Sequence, residues 1–219
     1  MKITILPLVL LVFLTAGCVS TKNVPIAEAN IQKLSGETLV MAKRDLPDFG
    51  AMTADKAMFG VIGAATVISA GNEIIKDNEV EDPSIYIAES LAAGLSETYG
   101  VKVNVDEDIT VSGLSSAKVA QTEFASDYLL DVQTVNWSFT YFPTDWDNYR
   151  VIYSAKLRLI DGHSKKLIAE GFCSRVPEKD DSAPSYDELL DNHAARLKYE
   201  LRLSANYCIS EFKSNILKL

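Results

Sequence analysis

The chain has 219 residues, 47% of them hydrophobic, with 30 acidic residues against 21 basic ones and a net charge of −9. That is enough apolar material for one well-filled core, and no internal repeat or low-complexity block is present. The acidic balance argues against nucleic acid or anionic lipid headgroups as partners.

Residues 1–17 read as a cleaved signal peptide. Lys2 supplies a positive start, residues 3–14 form an apolar run interrupted only by Thr4 and Pro7, and Leu14-Thr15-Ala16-Gly17-Cys18 resembles a lipobox. The apolar run is too short to span a bilayer, which needs about 20 residues. Cys18 is therefore the expected lipidation site, bearing a diacylglyceryl group and an N-acyl chain such as palmitate. Two or more chains suffice for stable membrane attachment. Val19 stands where inner-membrane retention uses aspartate, so the similarity to sorted lipoproteins implies the periplasmic side of the outer membrane. Residues 18–35, polar and broken by Pro25, read as a tether holding the domain off the membrane, and residues 36–219 as a single periplasmic domain.

Residues 37–43 predict a short strand, followed by a loop at Pro47, Asp48 and Gly50. Residues 52–76 predict one helix with Thr53 as N-cap. Asp82-Pro83 opens a second helix, with Ile85, Ala88, Leu91, Ala92, Leu95 and Tyr99 on one stripe and Gly100 closing it. A short strand over 101–105 and a mixed segment over 111–124 lead to three strands, 127–142, 149–161 and 165–175, an antiparallel meander. In the middle strand Tyr149, Val151, Tyr153, Ala155, Leu157 and Leu159 share the buried face, and Arg150, Ser154, Lys156 and Arg158 the wet one. The first strand changes phase after Val132, which a bulge near Gln133 or Thr134 would reconcile. A charged loop over 178–185 precedes a long terminal helix over 186–217.

Cys173 and Cys208 are expected to form a disulfide, because export places them in an oxidising compartment and both fall on core-facing positions of their elements. Closing that loop would contribute about 4 kcal/mol in the chain-entropy model. A redox-active pair would want close spacing, which is absent.

Two segments are candidate contact surfaces. Residues 57–72 carry no charge and are apolar nearly all round, with Gly60 and Gly63 allowing close approach and Ile62 between them. Such a helix would reach about 24 Å, short of a full membrane span. Burial against the sheet is the favoured reading, with subunit association or membrane contact as the alternative. The second is the aromatic hairpin over 137–153, where Phe142 and Trp146 near the tip are the hardest to bury and are candidates to touch a partner, a glycan or lipid. No catalytic residue emerges. His163 and His193 lack a metal-binding partner, Ser115 lacks the glycine a nucleophile elbow needs, and the acidic turns 106–108 and 145–148 lack a calcium loop's ligand count. No glycine loop for a nucleotide is present, so no metal or cofactor is expected.

The element order predicts an α/β fold, one mixed sheet with a C-terminal three-stranded antiparallel meander, covered by helices including a long C-terminal one. It resembles the amino-terminal domain of TolB and curli-secretion-type lipoproteins. The residues Glu170-Gly171-Phe172-Cys173, Ser185-Tyr186-Asp187-Glu188-Leu189-Leu190 and Cys208 also resemble a group of uncharacterised proteobacterial outer-membrane lipoproteins. The resemblance implies a non-catalytic, lipid-anchored protein whose partners are the membrane, through its anchor, and envelope proteins or copies of itself. Its expected work is envelope assembly or transport. The alternatives are a self-assembling subunit using residues 57–72 and a ligand-binding module using the hairpin.

Overall fold

The computed structural model describes residues 23–58 and 60–219, with 60–64 by backbone alone. Six strands form one mixed sheet: β1 (Thr38–Lys43), β2 (Gly50–Met52), β3 (Lys102–Thr110), β4 (Tyr128–Phe142), β5 (Asp145–Asp161) and β6 (Lys166–Arg175). Their order is β3-β1-β4-β5-β6. β1 and β2 run parallel to successive stretches of β4, Leu39 opposite Tyr128 and Gly50 opposite Ser138. β4, β5 and β6 form the antiparallel meander.

The core lies on the face toward which β5 turns its odd residues, Tyr149 through Leu159, all buried. Each such side chain contributes about 1.5–3 kcal/mol when removed from water. The phase change in β4 is resolved by a register shift between Thr134 and Asn136, which leaves Val135 half exposed and turns Trp137 and Phe139 inward. Packed on this face are α4 (Pro83–Tyr99) and α6 (Tyr186–Glu211). Asp82 caps α4 by accepting from the Ser84 N–H at 2.9 Å, and Gly100 ends it at φ 71°, a left-handed turn that suits glycine. Ser185 and Glu188 close a capping box on α6.

Several expectations are corrected. The segment read as a tether joins the fold from Val24 onward: Val24 pairs with Glu170, residues Glu28–Ile31 form α1, and Ile26 and Leu34 are fully buried. Its apolar residues outweigh its polar composition because the edge of β6 offers Val24 two backbone hydrogen bonds, 2.7 and 2.9 Å. Of the helix expected over 52–76, Met52 instead closes β2, while the described residues from Ala54 on are helical, as α2 (Ala54–Met58) and α3 (Gly60–Asp77). The described side chains of α3 are mixed in burial. Among its described side chains Val67 and Ile75 are buried, while Ala65, Ile68 and Ser69 face outward. A three-residue strand gives it only a narrow seat, and Gly71 sits so close that a Cβ there would lie 2.0 Å from the Phe49 carbonyl oxygen. In α4 the expected Ala88, Leu91, Ala92 and Leu95 are buried and Ile87 joins them, whereas Ile85 is exposed. In the terminal helix Asn192, His193 and Ala194 take left-handed φ and Phe212–Leu217 is a π-helical turn.

The largest correction is that the far side of the sheet is not simply wet. A second apolar cluster of Val40, Val111, Val119, Leu129 and Ile160 forms there under α5 (Ser116–Val119). Beside it Asp131 and Arg158 are completely buried. Asp131 accepts from Arg158 Nη1 at 2.6 Å and from Arg44 Nε and Nη2 at 2.6 and 2.8 Å. Arg158 also donates to Gln133 Oε1, the Leu114 carbonyl and Ser116 Oγ. These bonds pin the 113–116 segment to the sheet, which is why so much charge tolerates burial.

Candidate functional site

Where α4 meets the β3 and β1 margin of the sheet, the chain leaves a groove of about 410 Å³. Its apolar lining comes from Met41 and Val132 on the sheet, Ala88 and Ile85 on α4, Leu46 from the loop after β1, and Val105 on β3. Three of these stay open to solvent, with Leu46 59%, Ile85 56% and Val105 79% exposed. Apolar side chains from three separate elements converge on one concavity, an arrangement typical of contact sites. Its polar lining is anchored from within. Arg44 is held by Asp131, and Asp82 by the Ser84 N–H and the Thr134 hydroxyl, which in turn meets the Tyr153 hydroxyl at 2.9 Å. Burial pushes the Tyr153 phenol far up, so it stays protonated. For Glu107 burial is the largest single effect and acts upward, yet hydrogen bonds from Ser126 and Ala125 together hold its carboxyl below the usual range. The groove thus has a rigid, partly acidic frame around a greasy floor.

The residues singled out from sequence are dispersed. Phe142 is buried at 5% exposure, its ring faced by the Arg150 guanidinium at 5.4 Å, so it does not stand free at the hairpin tip. Trp146 does, 59% exposed, with the Tyr141 ring edge-on to it at 6.3 Å between centroids. Cys18 and the side chains of Gly60, Ile62 and Gly63 lie outside the described residues. Cys173 and Cys208 are joined, their Cα atoms 5.5 Å apart, tying β6 to α6.

Ser115, Asp145 and His163, weighed for chemistry, have structural partners. Ser115 caps α5 by accepting from the Lys118 N–H. Within the 145–148 turn Asp145 meets Lys179 Nζ at 2.7 Å and Asn148 Nδ2 at 2.7 Å. That Lys179 contact first, then Asn148, pulls its carboxyl down to about 2. His163 Nε2 lies 2.9 Å from Asp127, whose carboxyl is held well below the usual range by the Thr38 backbone N–H, the Thr38 hydroxyl and then His163. Among the described residues no three His, Cys, Asp or Glu side chains gather around a metal-sized point. None of their helices is long and apolar enough to cross a membrane.

The groove itself was missed in the sequence because Ile85 fits a helical stripe as well as Ile87 does. Only the positions of Ser84 and Gly94, small residues that let neighbours approach, hint that the buried face extends toward Ile87.

No protein-family model matches the chain, and no curated protein matches it in sequence. Some solved structures align with much of its length at low scores. A hypothetical protein from Chlamydia trachomatis is 7% identical with a TM-score of 0.39, over 81% of this chain and 94% of that one. A lipoprotein from Neisseria meningitidis is 14% identical with a TM-score of 0.26, over 67% and 88%. The C-terminal domain of LpoB from Salmonella enterica is 9% identical with a TM-score of 0.23, over 67% and 96%. At such scores the functional reading rests on this chain's own residues.

Proposed function

We propose that the protein is a non-catalytic lipoprotein, anchored through Cys18 to the periplasmic side of the outer membrane, that works by protein contacts in envelope assembly or transport. The observation that carries the contact role is the groove, whose Leu46, Ile85 and Val105 remain exposed although the core beside them is well filled. The lipobox-like leader supports the anchor. The resemblance in element order to the amino-terminal domain of TolB and to curli-secretion-type lipoproteins supports the same class of work.

The test is site-specific photocrosslinking from position 85 in the full-length protein within membranes. A discrete crosslinked protein that disappears in Leu46→Asp supports the reading. Absence of a product from positions 85 and 105, with products from unrelated faces, overturns it. Cys18→Ala should separately release the protein from the membrane fraction.

A second reading, a self-assembling subunit, is favoured by one observation: Met58 is 77% exposed and the outward face of α3 carries Ala65 and Ile68. Light scattering after size exclusion, with and without the lipid, separates the two. A discrete oligomer that persists without lipid and is lost in Ile68→Asp supports self-assembly, and a monomer in both forms removes it. A ligand-binding module at the hairpin would require Trp146→Ala to lose glycan or lipid binding at unchanged stability.

A further inference from the structure

On the β5 and β6 side of the sheet, away from the groove, a cavity of about 370 Å³ opens between the end of β6, the 177–185 loop and α6. Three arginines line it, and two have partners within the fold. Arg175 pairs with Glu200 at 3.4 Å and Ser204 Oγ at 3.2 Å. Arg196 pairs with the same Glu200 at 3.0 Å and donates to the Ser182 carbonyl. Arg150 is different. Among the described residues no ion pair or hydrogen bond reaches its guanidinium, and its Nε is buried without a partner. Arg150 as a whole is only partly buried: its Nε alone is shut in without a partner, and the rest of the fork is open to the cavity, so a buried unmet donor on an otherwise accessible cation calls for an explanation.

The acids around it do not supply one. Glu200 is shared by two other arginines, and Asp180 is turned back onto the Ser182 N–H and hydroxyl at 2.8 and 2.7 Å. The remaining acid, Glu178, is exposed. Three arginines and three carboxylates leave the lining formally neutral, which favours a single negative charge over a dianion such as phosphate. The guanidinium fork matches a carboxylate bidentately. Tyr199, which lines the cavity and is 55% exposed, offers apolar surface for the body that carries such a group.

We propose that this cavity is a carboxylate-binding site in which Arg150 pairs with a monocarboxylate on an apolar body, either a free small acid or a polypeptide C-terminus. The test is calorimetric titration of the full-length protein in detergent with benzoate, N-acetyl-phenylalanine, its carboxamide and inorganic phosphate. The two carboxylates should bind, the carboxamide should not, and phosphate should be the weaker anion. Arg150→Met should weaken carboxylate binding by about 10–100-fold, the weight of a lost charged hydrogen-bond pair. Arg150→Lys, keeping charge without the fork, should fall between. N-acetyl-phenylalanine binding at least about tenfold tighter than benzoate identifies a polypeptide terminus, and equal binding identifies a small acid. Equal binding of acid and carboxamide, no binding of either carboxylate, or unchanged binding by Arg150→Met overturns the proposal. So does a melting temperature lowered alike by Glu178→Gln and Arg150→Met, because Glu178 would then be the partner in solution.

Discussion

Arg158 and Arg150 sit on the same strand and the same side of it, yet their surroundings are opposites. Arg158 is fully buried and its guanidinium is spent on Asp131, Gln133, the Leu114 carbonyl and Ser116. Arg150 is partly buried beside a cavity, with its Nε unmet and only the Phe142 ring across from it. The difference lies in what covers each one. The 113–116 segment brings two carbonyls and a hydroxyl over the Arg158 end, Gly113 serving Arg44, whereas the 177–185 loop closes on other residues and leaves the Arg150 end open. A charge that the fold buries for its own stability is surrounded by partners, and one left wanting is a candidate for something from outside.

The contrast predicts its largest effect at the satisfied end. Arg158→Met strips Asp131 of one cation and frees the 113–116 segment, and should cost about 3–5 kcal/mol in denaturant unfolding. Replacing Asp131 with Leu as well should return part of that loss, since an apolar pair needs no compensation. A cost below about 1 kcal/mol for the single change would make the two arginines alike and remove the contrast.

Next in size is the Cys173–Cys208 bond. It ties β6 to α6 and so holds the α6 wall, with Glu200 and Ser204, against Arg175. Cys173→Ser with Cys208→Ser should cost about 2–5 kcal/mol. It should also weaken carboxylate binding at Arg150, while Arg158→Met at a temperature where it remains folded should not. Loss of binding in both, or in neither, would show that the two ends of β5 do not differ in the way their walls are held.

Much of this was legible in the sequence and some was not, for identifiable reasons. The meander, the bulge in β4 and the Asp82 and Gly100 caps follow from local patterns, because alternation and capping chemistry act over a few residues, and the disulfide from two core-facing cysteines in an oxidising compartment. β2 was hidden because three residues carry no periodicity. The far side of the sheet was read as wet because Arg150, Lys156 and Arg158 alternate with apolar neighbours, and alternation alone does not say what another segment will lay over them. Distinguishing Arg158 from Arg150 needs the position of residues 113–116 in space. The groove likewise depends on Ile87 rather than Ile85 facing the core, which a helical stripe alone does not decide.

Asp127 supplies an intermediate case, a carboxylate that is well bonded but close to water. The Thr38 backbone N–H, then the Thr38 hydroxyl and His163, hold its folded pKa below the ordinary carboxylate value. A depressed pKa means its contribution is fully present above about pH 4 and is lost as pH falls through the folded value. Asp127→Asn should therefore flatten the acid limb of the stability profile and leave the neutral region with a smaller deficit than Arg158→Met, since solvent screens the site. An unchanged acid limb would show that these bonds do not favour the charged form.

The smallest stability effect is expected at Arg150, and its smallness is the point of the comparison. Arg150→Met gives up a cation over the Phe142 ring, worth about 0.5–1 kcal/mol near the surface. It also removes a buried Nε whose desolvation is uncompensated, a cost of about 1–3 kcal/mol. The two offset, so the melting temperature should stay level or rise slightly, with the m-value unchanged because the same surface is buried. Phe142 must keep its place for this to hold, which tryptophan and near-ultraviolet aromatic signals report. A loss above about 1 kcal/mol would mean that Arg150 has a partner within the folded chain in solution. The open end of β5 would then be another stabilising contact, and the argument that its arginine awaits a carboxylate would end there.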